Sequence, residues 1–145
     1  MTPDIPVEIL LVEDNSHDLE LTMHALKKNG LGNRIAVARD GQEALDFLYG
    51  MDGASPNGHA RVILLDLKLP KLSGIEVLAR IKADARTRNV PVVVLTASTS
   101  PSDLAECYRL GVNSYLAKPV DFNEFVAMTK AIGMYWLLMN KVPPT

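Results

Sequence analysis

The chain has 145 residues, 48% of them apolar, which suffices for one domain with a sizeable core and leaves no room for a second independent one. With 15 Lys and Arg against 17 Asp and Glu, the formal charge is −2, so no basic field exists to grip a phosphate backbone and nucleic acid is set aside as a direct partner. A single cysteine, Cys107, excludes an internal disulfide and a cysteine-only zinc site and fits a reducing cytoplasm; no apolar run is of membrane-spanning length, and Met1-Thr2-Pro3-Asp4 lacks the regions of a signal peptide.

Val7 to Val12 contains Ile9-Leu10-Leu11-Val12, a run apolar on both faces and therefore a strand buried on both, and it stops at Glu13-Asp14. Leu19, Met23 and Leu26 follow at helical spacing, and Gly30 suits the left-handed position after a helix, which predicts a helix from about Asp18 to Asn29. Arg34 to Ala38 reads as a short strand. Asp40-Gly41-Gln42-Glu43 has the cap and third-residue acid of a helix start, with Ala44, Leu45 and Leu48 inside and Gly50 as the stop. Met51 to Arg61, with Gly53, Ser55, Pro56, Asn57 and Gly58 and no periodicity, reads as an exposed loop.

Val62-Ile63-Leu64-Leu65 is a second doubly buried strand, and it too ends at a carboxylate, Asp66. On this stretch alone Asp66 is either a working group or the start of a turn. Ser73-Gly74-Ile75-Glu76 is another capping box, followed by Ile75, Leu78 and Ile81 as an inner helix face. Pro91 to Thr96 is a buried strand ending in a hydroxyl. Ser100-Pro101 caps a helix that closes at Gly111, and Ser114 to Ala117 is a short strand running into Lys118-Pro119. Asp121-Phe122-Asn123-Glu124 starts a last helix that continues to about Asn140.

Five strand-then-helix units with apolar central strands predict an α/β fold: a doubly wound, five-stranded parallel sheet with helices on both faces. The strand ends then share one edge, where ligands of such sheets sit. That edge would collect Glu13, Asp14, Asp66, Thr96 and Lys118. Three carboxylates in one crevice need positive charge nearby to stay ionised, and Lys118 with a divalent metal would supply it. Oxygen ligands without His or Cys point to Mg²⁺ or a similar hard cation.

Glu13-Asp14, Asp66 with Pro70 four residues on, Gly74, Thr96-Ala97, Tyr115 and Lys118-Pro119 together resemble the receiver domain of two-component response regulators, in one register from about Pro6 to Ile132. The resemblance implies a flavodoxin-like sheet of strand order 2-1-3-4-5. It implies that Asp66 accepts a phosphoryl group from a sensor histidine kinase, that Glu13, Asp14, Asp66 and the Lys68 backbone carbonyl hold Mg²⁺, and that Lys118 is the fixed cation beside the transferred group. Thr96 and Tyr115 would form the switch, Thr96 turning to a phosphoryl oxygen and Tyr115 moving inward behind it. Small Ala97 leaves the phosphoryl group open to water. The Lys118-Pro119 bond would be cis, where an ordinary bond before proline has about a 5% chance of it. One departure is Glu13, where the family often has aspartate.

The loop before the third strand, the run Lys118 to Phe125, and Tyr135-Trp136-Leu137 look like the single-domain regulators of cyanobacterial phytochrome kinases. That likeness implies a phytochrome-type kinase as partner, docking near Ser16 to Leu21 with His17 in the docking face. Residues 1–145 are expected to be one receiver domain, with 133–145 an apolar helix end and tail and no effector domain after Asn140.

Phe122, Phe125, Val126, Thr129, Ile132 and Trp136 trace one inner stripe of the last helix, yet Met134, Tyr135, Leu137, Leu138 and Met139 make its end apolar nearly all round. A symmetric homodimer built on this helix and the adjacent strand is the expected consequence; the alternative is a tail folded back on its own core. Cys107 is expected to be a small buried residue. The competing enzymatic reading is a Mg²⁺-dependent phosphatase working through an aspartyl phosphate. Those enzymes usually place a second acid two residues after the nucleophile, where this chain has Lys68. A degenerate receiver that takes no phosphate is disfavoured by intact Asp66, Thr96 and Lys118. The chain is thus expected to be a phosphoacceptor switch that assists its own phosphorylation and dephosphorylation and is not otherwise an enzyme.

Overall fold

Consecutive aliphatic residues can hide both faces of a strand only at the centre of a sheet. The computed structural model, which describes residues 7–32, 35–50, 60–119 and 121–143, places these runs there. β1 (Ile9–Val12), β3 (Val62–Leu65) and β4 (Val92–Thr96) are buried at every position, and the more exposed β2 (Ile35–Ala38) and β5 (Ser114–Ala117) form the edges. All pairs are parallel and the order is β2-β1-β3-β4-β5, the expected doubly wound, flavodoxin-like arrangement.

The period of two along each strand sorts the core into two layers. Leu10, Val12, Ile63, Leu65, Val92 and Val94 face α2 (Gly41–Tyr49), α3 (Gly74–Ala83) and Cys107 of α4 (Pro101–Leu110). Ile9, Leu11, Val62, Leu64 and Val93 face α1 (Ser16–Lys28) and α5 (Phe122–Ile132), through Leu26 and Ile132. Asn29 ties the last two helices together: its Nδ2 donates to Val126 O at 3.0 Å and to Thr129 Oγ1 at 2.9 Å.

The helix starts follow their caps. Asp40, Ser73 and Ser100 each accept the N–H three residues on, from Glu43, Glu76 and Asp103, and Gly111 closes α4 in the left-handed region at φ 98°. α1 begins two residues before the expected Asp18, because Asn15 takes the capping role and accepts the Asp18 N–H at 2.9 Å. Asp18 therefore lies inside the first turn. The expected loop 51–61 falls outside the described residues except at its end, where Ala60 is buried while Arg61 is exposed; the Arg61 and Val62 N–H groups both donate to Glu8 O. Arg34, His59, Val120 and residues 144–145 also lie outside the described residues.

Two expectations are corrected. Among the described residues no peptide bond is cis, so Lys118-Pro119 is trans, the ordinary state of a bond before proline; the lysine reaches the sheet edge without the turn a cis bond would supply. The last helix does not run to Asn140 as one α-helix: it changes to a π-helix over Gly133–Met139, closed by the Asn140 N–H on Tyr135 O five residues back. Trp136 packs half-buried against the cluster of Ile9, Leu11 and Leu26, as expected, and Leu137 joins it, 3% exposed. Gly133 at the junction lies close to Leu31, whose Cδ1 would stand 2.8 Å from a Cβ there and would have to shift for a larger residue.

Gly74 fixes the distance between α3 and the end of β3. A Cβ at this position would collide with the Asp66 carbonyl oxygen and sit 2.5 Å from Leu67 Cα, both rigid backbone. Gly74→Ala should therefore lower the unfolding free energy by about 1–3 kcal/mol, the usual range for overpacking. Urea denaturation followed by circular dichroism measures this; a midpoint equal to the parent's would contradict it.

Candidate functional site

Strand register decides which residues meet. Val12 pairs with Leu65, so the residues that follow them, Glu13 and Asp66, emerge side by side at the centre of the sheet. The ladder runs on past the strands: Glu13 N–H donates to Ala38 O at 3.0 Å, Asp66 N–H to Val12 O at 3.1 Å and Lys118 N–H to Thr96 O at 2.8 Å. The backbone on which each side chain stands is thus held by the sheet itself.

Glu13 is 2% exposed and Asp66 7% exposed, and Lys118, following β5, extends its chain across the end of β4 to reach them. Its Nζ lies 2.8 Å from Glu13 Oε1, 2.9 Å from Asp66 Oδ2 and 2.7 Å from Asp18 Oδ2. An ammonium has three donors, and each finds a carboxylate. The second Glu13 oxygen accepts the Asn15 N–H at 3.2 Å, and the second Asp66 oxygen receives the Lys68 N–H at 3.4 Å.

These contacts set the protonation balance. Burial pushes the Glu13 carboxyl up from 4.5 to about 7, the Lys118 hydrogen bond opposing the shift and the adjacent Asp66 carboxylate adding to it. Burial also works against the charge on Lys118, but hydrogen bonds to Asp18, Glu13 and Asp66 outweigh it and hold the ammonium above the ordinary lysine range.

Of the residues read from sequence, the structure brings Glu13, Asp66 and Lys118 together. Asp14, next to Glu13, is exposed, and its backbone carbonyl accepts from Arg39 Nη2, which also donates to Ser16 Oγ. Thr96 is fully buried with its hydroxyl accepting the Ser98 N–H at 3.1 Å, and the half-buried Tyr115 donates its hydroxyl to Ser98 O at 3.4 Å. Both therefore meet the β4–α4 loop at the same residue. Lys68 exposes its side chain and faces Asp66 through its backbone. Asp18 was missed. Its signal was the cap at Asn15, which puts Asp18 in the first turn of α1, beside the acidic pair.

Three carboxylates against one ammonium leave surplus negative charge, and the donors are all oxygen, which suits a hard divalent cation. Among the described residues no group of three His, Cys, Asp or Glu side chains is already arranged to hold a metal ion, and the Lys118 ammonium stands between Glu13, Asp18 and Asp66.

A family model described as the response regulator receiver domain matches residues 9–130. The chain belongs to this family. It is 39% identical to the response regulator Rcp1 of Synechocystis sp. over 138 residues, covering 95% of this chain and 94% of Rcp1. It is 46% identical to the probable methanogenesis regulatory protein FilR2 of Methanothrix harundinacea, covering 95% of this chain and 88% of that protein. Among solved structures, the phosphorylated cyanobacterial phytochrome response regulator RcpA superposes with a TM-score of 0.87 at 36% identity, covering 97% of this chain and 100% of RcpA. The Mn²⁺-bound form of Rcp1 superposes at 0.83 with 38% identity, covering 96% of this chain and 100% of that one. The protein is a two-component response regulator, similar to the regulators of cyanobacterial phytochromes, and the phosphatase reading is not favoured. No helix among the described residues is long and apolar enough to cross a membrane.

A buried Glu13 carboxyl raised to about 7 in the folded protein and near 4.5 when unfolded binds its proton more tightly in the native state. Its contribution to stability is full below about pH 4.5 and is lost as pH rises through about 7. With a chelator present, the unfolding free energy of the parent should fall relative to Glu13→Gln across that window and then level off. A difference between the two that stays flat with pH would refute the assignment.

Proposed function

We propose that Asp66 is the phosphoacceptor of this response regulator and that the receiver works as a switch on one carboxylate. The observation that carries the reading is Asp66 at the end of β3, nearly buried, with the Lys118 ammonium 2.9 Å from its Oδ2. In the transfer, an Asp66 oxygen forms a bond to phosphorus as the bond from phosphorus to the histidine nitrogen of the kinase breaks. Lys118 is already positioned to pair with the negative charge that spreads over the phosphoryl oxygens.

Mg²⁺ would be held by Glu13, Asp14, Asp66 and the Lys68 carbonyl. When bound, the ion supplies neutralisation of the acids and of the incoming oxygens. The oxygen donors and the surplus negative charge around Lys118 support this, as does the divalent metal in the related Rcp1 structure. Thr96 and Tyr115 form the switch pair. Both hold Ser98 of the β4–α4 loop, so a Thr96 hydroxyl drawn to a phosphoryl oxygen gives up the Ser98 N–H and frees the loop that Tyr115 rests on. The chain is in this reading a phosphoacceptor that assists its own phosphorylation and dephosphorylation, working in the cytoplasm as a single receiver domain over residues 1–145.

Response regulators act with sensor histidine kinases, and the phytochrome regulator RcpA supports a phytochrome-type kinase as the donor here. Incubation with Mg²⁺ and a small phosphodonor should add one phosphoryl group to the parent, read by intact mass, and none to Asp66→Asn. An undiminished mass gain in the variant moves the acceptor elsewhere. FilR2 shares the same scaffold, so transfer from a purified phytochrome kinase, set against transfer from an unrelated histidine kinase, decides the partner.

The π-helical end supports the homodimer. Leu137 docks beside Ile9, Leu11 and Leu26, but Met134, Tyr135, Leu138, Met139 and Val142 are each at least half exposed. The fold buries Gly133 and Leu137, packs Trp136 partly against the same cluster, and leaves Met134, Tyr135, Leu138 and Met139 exposed. We infer a symmetric dimer through this segment and β5, the adjacent edge strand. Sedimentation should show a dimer at tens of micromolar for the parent, phosphorylated or not, and a monomer for Leu138→Glu. A monomeric parent in both states removes the idea.

A further inference from the structure

Asp18 is the acid of the cluster that the phosphoacceptor reading leaves without a task. It belongs to α1 rather than to a strand end, and its side chain is 27% exposed, against 3% for Glu13 and 8% for Asp66. Its oxygen nevertheless makes the shortest of the three contacts to Lys118 Nζ, at 2.7 Å. A surface acid gains little from an ordinary ion pair, so a geometry this tight on a lysine that is itself only 9% exposed is a specific placement.

The placement resolves a competition. The ammonium satisfies Glu13 and Asp66, the two carboxylates a divalent cation would also need, and neither can serve both cations fully at once. For a divalent ion to enter, the ammonium must loosen its hold on them. Withdrawal into no partner would strand a charge in a partly buried crevice, at considerable cost. Asp18 offers the alternative, because it lies nearer to solvent and can keep one ammonium donor while the other two are released. We propose that Asp18 is a positioning residue for phosphoryl transfer, holding the Lys118 ammonium on the α1 side of the crevice so that Glu13 and Asp66 are freed for a divalent cation. The proposal rests on the phosphoacceptor reading above.

Without Asp18 the third ammonium donor has no carboxylate, and Lys118 settles onto Glu13 and Asp66 alone. Mg²⁺ then competes against a stronger rival. Deleting a negative charge would also weaken a cation site directly, so the test must separate the two effects, and a double-mutant cycle with Lys118 does so.

Isothermal titration of the metal-free full chain with MgCl₂ gives the dissociation constant. Asp18→Asn should raise it about fivefold in the parent background and Asp18→Glu should restore it to within about twofold, whereas in a Lys118→Met background Asp18→Asn should change it by less than about twofold. Thermal unfolding in chelator checks that each variant folds, and Asp18→Ser supplies a second neutral variant should Asp18→Asn not fold. An equal effect of Asp18→Asn in both backgrounds means that Asp18 acts as a bulk charge and overturns the proposal; so does no effect in either. A parent chain that neither binds Mg²⁺ nor gains a phosphoryl group on Asp66 overturns the receiver mechanism itself, which is a different result from a phosphorylatable parent with an uncoupled Asp18.

Discussion

One ammonium shared by three carboxylates is the constraint around which this molecule is arranged. Glu13, Asp18 and Asp66 come from three different elements, and Lys118 from a fourth, so the group exists only when the sheet is closed in the right order. Brought together, the acids repel and need a cation, and Lys118 meets part of that need. The raised Glu13 carboxyl meets part of the rest by holding a proton toward neutral pH. The site is therefore built with a charge deficit that a divalent ion suits, and that deficit is its chemical potential for work.

The sheet makes the deficit tolerable. β1 and β3 are adjacent and central, buried on both faces, and their hydrogen-bond ladder extends one residue past each strand to the backbone of Glu13 and Asp66. The backbones that carry the two acids cannot separate without breaking that ladder. Gly74 adds a second restraint, letting α3 rest directly on the Asp66 carbonyl. The rigidity lies in the strands, while the residues that would move, Thr96 and Tyr115, meet at Ser98 in a loop. In the proposed switch, a stiff frame carries a loop tied to Thr96 and Tyr115 by one hydrogen bond each, so that a change at one carboxylate would reach the surface.

The far end of α5 obeys a different logic. Its winding widens from Gly133 and leaves several apolar residues outside. The π-helical segment packs both Leu137 and Trp136 against the core and presents Met134, Tyr135, Leu138 and Met139 to whatever lies beyond the chain, an arrangement suited to association.

Much of this was written in the sequence. Doubly apolar runs ending at Glu13, Asp66 and Thr96, and caps at Asp40, Ser73 and Ser100, depend on neighbours within a few residues, and such local patterns survive in the order of residue types alone. They determined the number and kind of elements, the parallel sheet and the edge on which chemistry would gather. Tertiary structure decided which of the gathered residues touch. Asp18 joined the cluster because α1 begins at Ser16, behind its Asn15 cap; the trans Lys118-Pro119 bond and the π-helix after Ile132 went against expectation. The meeting of Lys118 with Glu13, Asp18 and Asp66 joins segments remote in the chain, where an error of one residue or one turn redirects a side chain, and a linear pattern of residue types carries no measure of that direction.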